Sequence, residues 1–324
     1  VKPWNGNKWK EATFTYLGRM DYMNIAITGG TGMIGQALTK RLLDQGHHIF
    51  ILTRHPKAND AHVTYIKWMT EDAKPEQHLE GVDAFIHLAG ASINDGRWTD
   101  ERKRVILDSR VSTTKELVRI VEALDQKPNV VLSASAVGIY GQDRHQTFSE
   151  DHPLPPTADF LSHVCVAWED LARPIADAGI RLVHPRIGVV LTKAGGAYPL
   201  MRLPYVLFGG GTMGDGKQWV SWVHIDDLVD LFLFALETPT VEGPLNITAP
   251  HPETMRRFGQ TIGKVLHRPH WLPAPRFALE LALGEKSTIV LEGARVIPKK
   301  ALENGYKFRY AELKDALRAI EHSN

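Results

Sequence analysis

At 324 residues the chain is about two average domains long, at roughly 150 residues each, and its 43% apolar and 23% charged residues exclude disorder, collagen-like repeats and a disulfide scaffold. Lys plus Arg number 38 against 37 Asp plus Glu, a formal charge of +1, which removes the electrostatic footprint of general nucleic-acid binding. A single cysteine, Cys165, excludes an internal disulfide and any multi-cysteine zinc or iron–sulfur site.

The cysteine usage fits a reducing compartment, so a cytoplasmic location is expected. The longest apolar run, Leu228 to Leu236, is broken by Asp230 and is too short to span a bilayer. Residues 1–22 lack a signal-peptide core. They read as a polar extension outside the chemistry, whose opening Val fits either a non-native origin or an upstream start codon read literally.

From Met23 onward, short apolar runs alternate with amphipathic stretches, the pattern of a doubly wound α/β sheet. Strands are expected at Asn24–Thr28, His48–Thr53, Val63–Trp68, Ala84–Leu88, Val130–Ser135 and Arg181–His184. Helices are expected at Gln36–Gln45, Glu101–Leu124 and Val164–Ala178. The strands are apolar runs, as expected when crossover helices bury both sheet faces. Beyond Pro185 come a glycine-rich loop (Phe208–Gly216), an apolar helix from Leu228 to Leu236 and one more strand at 244–248. The expected organisation is a parallel-sheet Rossmann domain, residues 23–185 plus about 219–249. A smaller, mainly helical lobe takes about 186–218 and 250–324.

The segment Ile27-Thr28-Gly29-Gly30-Thr31-Gly32-Met33-Ile34-Gly35 follows a predicted strand and opens a helix. Glycines there permit a tight turn and a close backbone approach to a pyrophosphate, and the helix N-terminus offers free N–H groups. No Gly-Lys-Ser/Thr follows, so a nucleoside-triphosphate P-loop is excluded. The second strand ends Leu52-Thr53-Arg54-His55 without the carboxylate that binds NAD ribose hydroxyls. A guanidinium there suits a 2′-phosphate, so NADP(H) is expected in preference to NAD(H).

T-G-G-T-G-x-x-G, His87-Leu88-Ala89-Gly90, Ile139-Tyr140-Gly141 and Val223-His224-Ile225-Asp226-Asp227 resemble the extended short-chain dehydrogenase/reductases of the nucleoside-diphosphate-sugar epimerase group. Arg97-Trp98, Ser109-Arg110, Ala167-Trp168-Glu169, the GGGTMGDGKQ loop and Leu291–Pro298 narrow the resemblance to the atypical "epimerase family protein" subgroup, which carries a C-terminal domain of unknown function. The resemblance runs from about Met23 to Leu317. It implies cofactor contacts at Gly29, Thr31, Gly32, Met33, Ile34, Gly35, Thr53, Arg54, Leu88, Ala89, Gly90, Arg110, Ser133, Pro185 and Ile187.

The catalytic positions depart from the parent pattern. Enzymes of this type use Tyr-x-x-x-Lys on the helix after the fifth strand and a Ser or Thr near that strand's end. With Tyr140 and Glu169 as anchors, these roles fall on Leu161, Cys165 and Ala136. Leucine carries no proton, and a neutral thiol supplies no ammonium charge. Ser135 and Tyr140 are the remaining catalytic candidates; His163, Cys165 and His224 lie near the same cleft. Histidines 163 and 184 read as capped or packed side chains, and Cys165 as a small buried one. Loop Gly209–Gly216 reads either as an anion nest over the cleft or as a flexible hairpin. No metal-ligand spacing occurs. An oxidoreductase or epimerase-like protein acting on an unidentified small molecule, as monomer or homodimer, is expected. The alternative is a non-catalytic NADP(H)-binding regulatory or scaffold protein.

Overall fold

The computed structural model describes residues 22–156 and 159–322. Apart from Tyr22, the N-terminal extension lies outside the described residues. The chain begins with β1 (Asn24–Thr28), α1 (Met33–Asp44), β2 (His48–Thr53), β3 (Val63–Lys67) and β4 (Ala84–His87). It continues through α2 (Asp100–Ala123), β5 (Val130–Ser133), β6 (Ser135–Ala136), β7 (Thr147–Phe148), α3 (Phe160–Asp177) and β8 (Arg181–Ile187). Next come β9 (Val189–Leu191), α4 (Tyr198–Val206), β10 (Trp219–Val220), β11 (Trp222–His224), α5 (Ile225–Glu237) and β12 (Gly243–Ile247). The last elements are β13 (Glu253–Thr254), α6 (Met255–Leu266), α7 (Arg276–Leu283), α8 (Thr288–Leu291), β14 (Arg295–Val296), α9 (Lys299–Glu303) and α10 (Leu313–His322).

The main sheet runs β12-β8-β5-β4-β1-β2-β3, with β6 joining β8, and its pairings are parallel. This is a doubly wound Rossmann sheet. Its order reverses between β1 and β4, where ligands bind beyond the C-terminal strand ends. The two-residue period of the strands sorts the core into two layers. Ile25, Ile27 and Ile86 meet Leu38 and Leu42 of α1 and Leu231 and Phe232 of α5. Ala26, Phe85 and Val131 meet Leu117 and Ile120 of α2 and Ala172 and Ile175 of α3.

Several elements begin or end away from the sequence reading, each for a local reason. Helix α3 starts at Phe160 because Asp159 and Ser162 form a reciprocal capping box. Strand β8 continues through Pro185 to Ile187. The ladder between β8 and its β5–β6 neighbours is interrupted there, with pairs at Leu132–Val183 and Ser135–Arg186 on either side, so a missing N–H is tolerated. The C-terminal region is mostly helical, yet Ala301 and Tyr306 enter the main core beside α5. A third core joins α4, α6 and α10 through Tyr198, Phe258 and Leu317.

Candidate functional site

Between β1 and α1, two glycines are required by the protein itself. Gly29 has φ +72°, and a Cβ there would lie 2.9 Å from the Leu88 carbonyl. At Gly35 a Cβ would lie 2.4 Å from the Gly29 oxygen, blocking the approach of α1 to the turn. Gly32 differs. Its φ of −76° and ψ of 169° suit any residue, and an added Cβ would meet only the Gly29 oxygen, at 3.3 Å. Gly32 therefore keeps a surface clear rather than relieving backbone strain. It is also the N-cap of α1, with no side-chain cap and no acidic residue in the first turn. The leading N–H groups, around Met33 and Ile34, thus present a partial positive charge with no carboxylate to offset it. That cradle fits a dinucleotide pyrophosphate.

The end of β2 lies beside β1, with Thr28 opposite Leu52. There Thr53 Oγ1 accepts from the His55 N–H at 3.3 Å. Arg54 is exposed, with no hydrogen bond or ion pair among the described residues. No carboxylate follows in the Thr53–Lys57 stretch.

At the β4 end, Thr28 Oγ1 accepts from the N–H groups of Leu88 and Ala89 at 3.2 and 3.3 Å. Its own hydrogen is left for His87 Nδ1, 2.7 Å away. The other ring nitrogen then donates to Thr114 Oγ1 at 3.2 Å. His87 is fully buried, and burial, helped by the Arg110 charge, pushes its pKa down to about 3. It is a neutral tie between β1, β4 and α2. The adjacent Ser109-Arg110 pair grips Ala91 from both sides. Ser109 Oγ accepts from its N–H at 2.9 Å, and Arg110 Nη1 donates to its carbonyl at 3.1 Å. Gly90 fits beneath Arg110, whose Cγ would be 3.2 Å from a Cβ there.

Leu161, Cys165 and Trp168 follow one another on a single face of α3. Gly138 backs the first two: a Cβ there would lie 3.4 Å from Leu161 Cβ and 3.9 Å from Cys165 Sγ. Leu161 packs in an apolar cluster with Trp98 and Ile289. Burial pushes the Cys165 thiol up to about 12, partly offset by Arg110 and by the Ala136 N–H. The Arg110 guanidinium lies 4.8 Å over the Trp168 ring, whose edge faces His87 at 6.4 Å. Ser133 Oγ, Ser135 Oγ and Trp168 Nε1 are buried without a partner among the described residues.

Tyr140 is held elsewhere. Its hydroxyl donates to Asn246 Oδ1 and accepts from Arg186 Nη1, both at 2.9 Å. Arg186 in turn grips Glu169 with two bonds of 2.8 Å. Burial raises the phenol's pKa, and its ring stacks on Phe148. His163 is exposed. His224 caps α5 by accepting from the Asp226 N–H at 3.0 Å, and burial drives it down to about 4. Asp227 accepts from the Arg309 and Tyr310 N–H groups at 2.8 Å, tying the C-terminal segment to α5.

Gly29–Gly35, Leu88–Gly90, Arg110 and Ser133–Ser135 thus converge at the C-terminal ends of β1, β4 and β5, with Arg54 one strand away. Pro185 and Ile187 lie on β8, opposite Leu245 and Ile247. Loop Gly209–Gly216 pairs its backbone with residues 271–274, chiefly through the Gly210 and Thr212 carbonyls. Among the described residues no group of His, Cys, Asp and Glu could hold a metal. No described helix is long and apolar enough to cross a membrane. Sequence reading missed the Thr28–His87–Thr114 tie and gave no role to Trp168. Their only signals were the His-Leu-Ala-Gly and Ala-Trp-Glu strings.

Residues 25–248 match the model of the NAD dependent epimerase/dehydratase family, and residues 274–320 match DUF1731, a domain of unknown function. Epimerase family protein YfhF of Bacillus subtilis (strain 168) is 47% identical over 296 residues, covering 91% of this chain and 97% of its own. Epimerase family protein SSP1921 of Staphylococcus saprophyticus is 43% identical over 302 residues, 91% of this chain and 98% of its own. The structure of human epimerase family protein SDR39U1 (isoform 2) with NADPH is similar at a TM-score of 0.84 and 33% identity, covering 93% of this chain and 100% of that one. The nucleoside-diphosphate sugar epimerase from Corynebacterium glutamicum gives a TM-score of 0.73 and 32% identity, over 92% of this chain and 57% of that one. With the glycine turn, the sheet order and most of the chain in agreement, this chain belongs to the NAD dependent epimerase/dehydratase family.

Proposed function

We propose that the chain binds NADP(H) across the C-terminal ends of β1, β2 and β4 and acts as an oxidoreductase or epimerase-like protein on a small molecule other than the common sugar nucleotides. The observation that carries this reading is the uncapped α1 N-terminus beside Gly32, one strand away from the unpaired Arg54. The α1 N-terminus receives the pyrophosphate, with Gly29, Thr31, Met33, Ile34 and Gly35 shaping the turn. Thr53 and Arg54 take the adenosine ribose and its 2′-phosphate. Leu88, Ala89 and Gly90 line the path toward Arg110 and Ser133, with Pro185 and Ile187 bounding the nicotinamide end. The NADPH bound to the human relative supports the same cofactor here. When bound, the nicotinamide supplies hydride transfer.

The family's Tyr, Lys and Ser/Thr roles fall on Leu161, Cys165 and Ala136. That register is supported by the common face Leu161 and Cys165 turn to Gly138. Neither side chain moves a proton at neutral pH, the thiol being pushed up to about 12. Tyr140 is bonded on both sides of its hydroxyl, so it braces the floor beneath the site. Ser135, whose hydroxyl has no partner among the described residues, is the residue left to hold a substrate oxygen. The test is a panel of UDP- and dTDP-sugars with NADP⁺, assayed on the native chain and on Leu161→Tyr/Cys165→Lys. General acid–base groups contribute about 10²–10⁴-fold, so the native chain should show no rapid turnover and the double variant a gain. Rapid turnover by the native chain would refute the reading. If NADPH binds yet no carbonyl compound is ever reduced, the non-catalytic NADP(H)-binding alternative takes its place.

A further inference from the structure

Arg110 is a part-buried cation with no carboxylate partner among the described residues. Its Nη1 donates to the carbonyls of Ala91 and Ile106, at 3.1 and 3.0 Å. Nε and Nη2 have no such bond. Other shielded arginines are compensated: Arg186 by Glu169, Arg41 by Asp230, and Arg181 by carbonyls at the C-terminal end of α5. Arg110 has two carbonyl bonds on one nitrogen and no carboxylate among the described residues, and a shielded charge so thinly compensated is expensive to keep in a fold, which points to a counter-ion from outside the protein.

Three more donors stand unpartnered nearby. Trp168 is 6% exposed, Ser135 2% and Ser133 0%, and the polar side-chain atom of each lacks a hydrogen bond among the described residues. Cys165 links them in space. It lies one turn before Trp168 on α3, which packs against the β6 strand that carries Ser135, and feels the Arg110 charge. The neighbouring wall is apolar, with Leu161 and Ile289 in one cluster.

We propose that Arg110, Trp168 and Ser135 hold the carboxylate of a small, otherwise apolar ligand beside the cofactor. Arg110 thereby supplies from α2 the charge that α3 lacks. A planar monoanion matches the guanidinium fork and neutralises its one charge. A phosphate dianion would leave surplus charge in the same shielded space. The proposal rests on the cofactor site described above for its position next to the nicotinamide.

The experiment is calorimetric titration of the NADPH-loaded chain with benzoate, its neutral isostere benzamide, and inorganic phosphate. Benzoate should bind about tenfold or more tightly than benzamide, the value of one charge-assisted contact. Arg110→Gln, titrated at NADPH saturation, should erase that preference. Trp168→Phe should weaken benzoate several-fold, because it deletes a buried donor that has no partner among the described residues. It carries the test alone if Arg110→Gln does not fold. Equal binding of benzoate and benzamide, tighter binding of phosphate, or a preference that survives Arg110→Gln overturns the proposal. Loss of NADPH from a folded Arg110→Gln also overturns it, by assigning the guanidinium to the cofactor. Failure of the native chain to bind NADPH would instead sink the cofactor reading, and the benzoate preference is then read on the cofactor-free chain.

Discussion

The two glycine-rich segments, Ile27–Gly35 and Phe208–Gly216, look alike as strings and differ in what surrounds their backbone. In the second, a Cβ at Gly211 would lie 1.9 Å from the Leu272 carbonyl oxygen, and one at Gly210 2.2 Å from the Tyr205 ring. Gly210 and Thr212 accept from the N–H groups of Trp271, Leu272 and Ala274, so these glycines let two stretches of the same protein meet. In the first segment Gly35 does the same for α1, but Gly32 faces no comparable neighbour. Glycine content reports only that something comes close. The atoms across from each Cα decide whether that something is protein or ligand.

The largest expected effect separates the two segments outright. Gly32→Val should weaken NADPH by about 100-fold or more, since its branches would enter the pyrophosphate space, while Tm stays within a few degrees. Fluorescence titration and thermal melts check both parts, and unaltered binding by the folded variant would place the phosphates elsewhere. Arg54→Ala tests the cofactor end of the same cradle. It should cost about 1.5–3 kcal/mol of NADPH affinity and leave NADH unchanged by calorimetry. Equal affinities for the two nucleotides in the native chain would remove the role given to Arg54.

Gly211→Ala should show the opposite signature. It should destabilise the fold by about 1–3 kcal/mol in denaturant unfolding and leave NADPH affinity intact. A neutral outcome would mean that the 271–274 segment yields easily and that the contrast between the two segments is weaker than drawn. The smallest effect is a pH slope beneath the first segment. His87 has a folded pKa of about 3 against an ordinary 6.5, so the unfolded chain binds its proton first. Its contribution is fully present above pH 6.5 and is lost as the pH falls toward 3. The slope should be about 1.4 kcal/mol per pH unit. His224 acts in the same direction. Glu237, raised to about 7 by burial, acts in the opposite one, so the measurement is a difference. Between pH 7 and pH 5 the native chain should lose more stability than His87→Gln, and equal losses would contradict the buried neutral ring.

Strands β1 to β5 and the glycine turn were legible in the chain because their signals are local. A strand buried on both faces must be an apolar run, and a turn that admits a phosphate must place glycines just before a helix. The missing carboxylate after Thr53 is equally local. Helix onsets were less legible, since periodicity marks where an apolar face starts, whereas the Asp159–Ser162 cap decides where α3 begins. The chemistry of the remaining site residues was decided in three dimensions. Tyr140 is a catalytic candidate in the chain until Arg186 and Asn246 close on its hydroxyl. Arg110 stands out in the chain only through the family pattern that points its helix at the cofactor, whereas packing against Trp168 and Gly90 shields it with no carboxylate partner among the described residues. Residue type follows from the chain alone, but shielding and pairing depend on partners brought together from distant positions. Those two quantities set whether a group is a brace, a charge awaiting a counter-ion or an inert filler.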